Sequence, residues 1–276
     1  MYPPVDPIIF EFGPIALRWY GLLMMLAILI GSTIASRYVA RQGQDPDDFW
    51  DMLIWVLVPA FLGARLYYVF IQSPRGQDGL QYYLSNPGEI LKIWSGGIHI
   101  FGAFIAGTLA LWLYTRLRDL PALVFLDGIA LGLPLAQAIG RWGNFINQEL
   151  YGPPTALPWG LRIDPRHRIG PYRDLAEYPE STRFHPLFLY ESLWNFAGFA
   201  LIFWASRRFK LKDGDISLLY LIWYPLGRFF IEFLRTDSWF FPGTAFNVVH
   251  ILCAIAVIAA SATLLLRHRR QQSTAQ

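Results

Sequence analysis

The run GLLMMLAILIGSTIAS, residues 21–36, contains no charged side chain. A helix needs roughly 20 mostly apolar residues to cross a bilayer. With its flanks the run covers about 15–36, and comparable stretches recur at about 49–71, 97–115, 121–140, 186–206, 216–234 and 245–266. The chain therefore reads as an all-α polytopic membrane protein with seven transmembrane helices. The first stretch reads as a span and not as a cleavable signal, because Asp6 and Glu11 precede it without a basic residue beside them and the apolar run is too long.

Composition agrees. Only 16% of the 276 residues are charged, against about 25% in a soluble domain. Mean hydropathy is +0.33. Scarce charge and abundant aromatics exclude disorder and a coiled coil. A formal charge of +3 without a basic stripe gives no support for nucleic-acid binding. One cysteine, Cys253, excludes a disulfide framework and a cysteine-based zinc site. It reads as a small buried apolar residue.

The connections are mostly short. Residues 37–48 are polar and end on Asp45-Pro46-Asp47-Asp48, a helix start. Residues 72–92 carry Gly and Pro turn signals, and 207–215 are strongly polar. The exception is 142–185, rich in Pro, Gly and charge, which reads as a small folded cap. The expected layout is helices one to four over 1–141, the cap over 142–185, and helices five to seven with a tail over 186–276, all within one integral membrane domain. Eleven Lys and Arg (Arg37, Arg41, Arg116, Arg118, Arg207, Arg208, Lys210, Lys212, Arg267, Arg269 and Arg270) fall on one side of these spans. The opposite short segments hold Arg75, Lys92 and Arg235. The positive-inside rule then places the C-terminus in the cytoplasm, and the N-terminus and cap outside.

Ionisable groups inside a span cost about 2.5–3.5 kcal/mol each on insertion scales. Arg65, His99, Asp127, Arg141, Glu191, Arg228 and Glu232 lie in or at the edge of spans. Arg65, Asp127 and Glu191 are isolated in theirs and could equally be interhelical ties; Glu191 could pair with an arginine on another helix. The others cluster. In YLIWYPLGRFFIEFLR (220–235), Tyr224, Arg228 and Glu232 recur every four residues on one helix face. Gly227 beside them permits close approach of backbone or ligand, and a bare Arg228–Glu232 salt bridge is the plainer alternative.

In LAQAIGRWGNFINQELYG (135–152), Gly140, Gly143 and Gly152 surround Arg141, Asn144, Asn147, Gln148 and Glu149. Arginine's planar fork matches phosphate or carboxylate, and the amides add neutral donors and acceptors. This suits an anionic headgroup; a cap for the following loop is the alternative. KIWSGGIHIFGAFIAG (92–107) sets His99, a residue able to exchange a proton near neutral pH, before a small-residue face that includes Gly102 and Gly107. Tyr20 lies near the start of the first span, where an interfacial aromatic would serve as well. His185-Pro186 starts the fifth span.

The stretch GRWGNFINQELYG (140–152) closely resembles the signature of the bacterial phosphatidylglycerol–prolipoprotein diacylglyceryl transferase family. SGGIHIFGAFIAG, HPLFLYESLWN (185–195) and YPLGRFFIEFLR (224–235) stand in that family's order. The resemblance implies transfer of a diacylglyceryl group from phosphatidylglycerol to the lipobox cysteine thiol in the signal peptide of a preprolipoprotein. A thioether forms and glycerol phosphate leaves. It implies no metal and no cofactor, and a multi-pass place in the bacterial cytoplasmic (inner) membrane among membrane lipids. Position by position, it assigns Arg141, Arg228, His99 and Glu232 to catalysis, and Arg141, Asn144, Glu149, Tyr20, Tyr224 and Gly152 to substrate binding. Trp142 and Gln148 fill places read as variable. His99 is the candidate base for the thiol, or orients the lipid, with Glu232 as a rival base. A transporter or channel gated by buried Arg and Glu is the competing class, and a seven-span receptor a third.

Overall fold

The computed structural model of the chain describes residues 1–3, 6–12, 15–72, 79–92 and 96–274. The turns expected at 73–78, with Arg75, and residues 93–95 of the His99 motif lie outside the described residues. Six helical stretches are long and apolar enough to cross a membrane: Trp19–Arg41, Pro46–Ile71, Ile100–Leu117, Ala122–Ile146, Leu187–Arg208 and Val248–Arg269. The chain is a multi-pass membrane protein. Much of the large apolar surface points outward, as at Ile54, Phe104 and Ile258, which suits lipid and not water.

The stretch expected as the sixth span is also a helix, Asp215–Glu232, and equals Ile100–Leu117 in length. It is not among the six because Asp215, Arg228 and Glu232 all fall within its 18 residues. The first helix starts at Trp19 and not near residue 15. Before it a hairpin forms, β1 (Ile8–Phe12) antiparallel to β2 (Ile15–Arg18).

The chain divides into two compact units, Ser36–Phe125 and Met1–Ala35 with Leu126–Gln276. α1 (Trp19–Arg41) and α5 (Ala122–Ile146) each run from one into the other. In the 36–125 unit, α2 (Pro46–Tyr67) starts at the expected motif, with the Asp45 carboxylate accepting the Asp47 amide at 2.9 Å. α3 (Gly79–Ser85) is short. α4 (Ile100–Leu117) packs on α2 through the expected small-residue face. A Cβ at Gly63 would lie 2.6 Å from the Gly102 carbonyl, so the two backbones meet at glycine. Arg65 is a clamp here. Its Nε donates to Ile90 O (2.9 Å), Nη1 to Gly96 O (2.6 Å) and Gly97 O (2.7 Å), and Nη2 to Glu89 O (2.7 Å). Gly96 and Gly97 take φ of 88° and 73°, which lets that loop wrap the guanidinium.

In the other unit, α6 (Leu187–Arg208), α7 (Asp215–Glu232) and α8 (Val248–Thr274) pack in sequence. Asp127 on α5 fixes the start of α7: its carboxylate accepts the Gly214 amide at 2.7 Å, and the Ser217 amide and hydroxyl at 2.8 and 2.7 Å. Asp127 is thus an interhelical tie. Trp194 and Trp223 staple α6 to α7; each indole donates to the other's carbonyl at 3.0 Å, and the rings stack 4.5 Å apart. Gly227 is filled by this staple, since a Cβ there would run into the Trp194 indole. It therefore admits a side chain of α6 and not a ligand.

The 147–186 segment folds around β3 (Leu161–Arg162) and β4 (Arg183–Phe184), over Phe145, Tyr151, Leu161, Ile163, Phe184 and Phe188. The guanidinium of Arg168, fully buried, donates to the carbonyls of Ile163, Tyr178, Pro179 and Glu180.

Candidate active site

α5 continues past residue 140 to Ile146, so Arg141 and Asn144 ride on its last turns. Three residues apart on a helix they are neighbours, and Arg141 Nη1 donates to Asn144 Oδ1 at 3.2 Å. Beyond the helix, Gln148 and Leu150 take φ of 54° and 56°, an uncommon left-handed backbone for non-glycine residues. The turn folds Glu149 back onto the helix end. Its Oε1 accepts from Asn144 Nδ2 at 2.9 Å and from Asn147 Nδ2 at 3.3 Å. Gln148 reaches into the following segment, where its Oε1 accepts the Asp164 amide at 2.8 Å. Sequence reading counts Gln148 among the amides suited to a headgroup, at a variable position, with a cap for the following loop as the alternative; it ties this turn to the 147–186 fold. Gly152 donates its amide to His185 O at 2.9 Å, and a Cβ there would sit 3.0 Å from Leu234 O.

The second guanidinium edge of Arg141 is taken by Glu191. Arg141 Nη2 and Glu191 Oε2 form an ion pair, as the sequence suggested for Glu191. Arg235 approaches the other oxygen, Nη1 to Oε1 at 3.9 Å, while pairing with Asp237 at 2.6 Å. Glu191 is 4% exposed, so its charge needs these partners.

On α7 the i, i+4 spacing does what it promised. Arg228 Nη2 lies 2.6 Å from Glu232 Oε2. Glu232 Oε1 accepts from Asn247 Nδ2 at 2.9 Å. Asn247 in turn caps α8, its Oδ1 accepting the Val249 and His250 amides at 2.8 and 3.2 Å. Glu232 Oε2 has that ion pair but no hydrogen-bond partner among the described residues. Arg228 Nη1 is buried and has no hydrogen-bond partner among the described residues.

These groups meet at one place. A small cavity of about 10 Å³ is lined by Glu191, Trp194, Asn195, Tyr224, Arg228 and Ile231. Tyr20 packs its ring against α5 at Gly143, where a Cβ would come within 2.6 Å of it. The unit thus gathers Arg141, Asn144, Glu149, Tyr20, Tyr224, Arg228 and Glu232. His99 belongs to the 36–125 unit. There it caps α4, its Nδ1 accepting the Phe101 amide at 3.3 Å, and its ring stacks on Tyr67 at 5.0 Å.

Outside the helices the electrostatics are simple. Arg166, hydrogen-bonded to Asp164, holds that carboxyl down at about 2. Burial pushes the Tyr151 phenol up, while its oxygen accepts the Ile169 amide at 2.7 Å. Among the described residues no three His, Cys, Asp or Glu side chains come together as metal ligands. Cys253 lies buried on α8.

A family model described as prolipoprotein diacylglyceryl transferase matches residues 7–266. The chain belongs to this family. A relative from Chloroflexus aggregans, named phosphatidylglycerol–prolipoprotein diacylglyceryl transferase, is 42% identical over 289 residues, covering 98% of this chain and 92% of its own. One of the same name from Synechococcus elongatus is 47% identical over 84% of this chain and 78% of its own. Another, from Lactiplantibacillus plantarum, is 39% identical over 92% and 85%. Every site residue named above lies within the matched span. The transporter and receptor readings find no support in these likenesses. Sequence reasoning left Arg235 and Asn195 without a role. For Arg235 a signal was available in its i+7 spacing from Arg228, although α7 ends at Glu232 and Arg235 follows the turn after it.

Proposed function

We propose that the chain transfers the diacylglyceryl group of phosphatidylglycerol to the lipobox cysteine thiol in the signal peptide of a preprolipoprotein. The observation that carries the mechanism is the buried, unpartnered Nη1 of Arg228 beside the Arg141–Glu191 pair. The reaction breaks the bond between a glyceryl carbon and a phosphate oxygen. Thiolate sulfur supplies the new bond to that carbon, and glycerol phosphate leaves with the bonding electrons. The thiol proton goes to a base or to water. Charge grows on the departing phosphate, and fixed guanidinium donors in a site poor in water stabilise it strongly.

Arg228 and Arg141 would hold that phosphate. Glu232 and Glu191 orient them, and Asn144 with Glu149 holds the second edge of Arg141. Tyr20, Tyr224 and Gly152 line the approach of the headgroup. Glu232 is read as orienting Arg228, since it is ion-paired to that guanidinium through Oε2 and accepts from Asn247 through Oε1. His99 accepts an amide proton on Nδ1, so its neutral ring carries a proton on Nε2 and donates there. Orienting a lipid oxygen fits that tautomer better than taking the thiol proton. Cys253, although within electrostatic reach of Arg228 and Glu232, is read as a packing residue, and transfer as direct.

The same reading gives α7 the role of a seventh span, its three charges paired inside the protein, Arg228 with Glu232 and Asp215 with Arg267 and His268. It places the N-terminus and the 142–185 cap outside and the C-terminus in the cytoplasm, in the bacterial inner membrane. The layout 1–141, 142–185 and 186–276 then forms one membrane domain with an external cap. The decisive experiment mixes the detergent-purified chain with phosphatidylglycerol and a lipobox peptide. A mass gain of one diacylglyceryl group on the cysteine is expected; no gain on a folded protein sinks the proposal. His99→Gln should lower the rate and leave the shape of the acid limb of the pH–rate profile, where loss of a general base would show.

A further inference from the structure

Asn195 lies on α6 one turn beyond Glu191 and is 2% exposed. Its Oδ1 is buried with no hydrogen-bond partner among the described residues. An amide oxygen left in that state is costly, and an apolar residue would avoid the cost. Arg228 Nη1 is the complementary case, a buried donor without an acceptor. Both side chains line the same cavity of about 10 Å³, the volume of a single water. A water there could accept from Arg228 Nη1 and donate to Asn195 Oδ1, satisfying both. Nη1 carries two protons, so one remains for substrate.

We propose that Asn195 is a positioning residue for Arg228, acting through one bound water. Glu232 fixes one edge of the guanidinium, and the Asn195–water bridge fixes the other. Together they hold the fork in the plane that a phosphate needs before the lipid arrives. This inference rests on the transferase reading given above. Nothing in the cavity is large enough for the headgroup itself, so the bridge belongs to the free protein as well as to the complex.

Asn195→Leu keeps the size of the side chain and removes the acceptor. Asn195→Ser restores a hydroxyl and leaves room for a further water. In the purified chain with phosphatidylglycerol and a lipobox peptide, Asn195→Leu should lower kcat by about tenfold. The peptide KM should stay within about twofold, and inhibition by glycerol phosphate should weaken by about tenfold. Asn195→Ser should recover most of kcat, and both variants should keep the wild-type Tm. Wild-type kcat in Asn195→Leu overturns the proposal, as does a serine variant no better than the leucine one. If Asn195→Leu does not fold, Asn195→Ala takes its place under the same criteria. Failure of both to fold also overturns it, because a positioning role requires a folded variant. Absence of transfer by the wild-type chain would instead reject the transferase reading.

Discussion

Two arginines on the apolar helices, the buried Arg65 and the half-buried Arg228, differ in what their guanidinium groups are left to do. Arg65 spends all three nitrogens on the backbone carbonyls of Glu89, Ile90, Gly96 and Gly97. Arg168 in the 147–186 segment does the same with four carbonyls. Arg228 is held at one edge by a carboxylate, and its Nη1 has no hydrogen-bond partner among the described residues. Neutral carbonyls satisfy a guanidinium's hydrogen bonds and leave its charge in place; with four of its five donors spent on backbone, it is a rivet. A carboxylate on one edge orients the fork and leaves donors for an anion. A buried arginine is therefore read by the identity and completeness of its partners, not by burial.

The strongest break of this comparison is truncation. Arg228→Ala and Arg141→Ala should each cost about 10³-fold or more in transfer per folded protein, the scale of losing a transition-state donor, and each should also lower Tm because it strands a buried carboxylate. Activity near wild type in either would end the phosphate role. Arg228→Lys asks for less: it keeps the charge beside Glu232 but loses the fork, and about 10²-fold loss in kcat is expected. Near-full activity would mean that charge alone suffices.

Arg65→Met should act on stability. Four carbonyls lose their donor, at about 1–3 kcal/mol for each one left buried and unpaired, so Tm and yield should fall. An unchanged Tm would remove the rivet reading. Gly227→Ala pushes a methyl into the Trp194 indole and should destabilise by about 1–3 kcal/mol, seen as a lower Tm. The smallest effect belongs to Cys253→Ser, expected within about twofold of wild-type activity; an inactive but folded variant would revive a covalent enzyme intermediate.

Much of this was legible in residue spacing. The Arg228–Glu232 pair follows from i, i+4 on a helix, and the glycine face of α4 from Gly102 and Gly107. The hairpin before α1 was not legible, because its apolar residues merge with the first span in a hydropathy reading. Nor was the extension of α5 through Arg141, since polar residues on a helix end look like a loop when only hydropathy is counted. Gly227 looked like a gap for a ligand, but the residue that fills it lies 33 positions earlier in the chain, at Trp194.

By itself the sequence determined that the chain is built of apolar helices, which of its few charges stand within them, and which family signature they carry. Those properties are local, being set by hydropathy and helical period along one segment. Only the tertiary structure decided which charges are satisfied. Whether Arg65 is a rivet and Arg228 a donor in waiting depends on carbonyls and carboxylates brought in from other segments, and no spacing along a single helix encodes that.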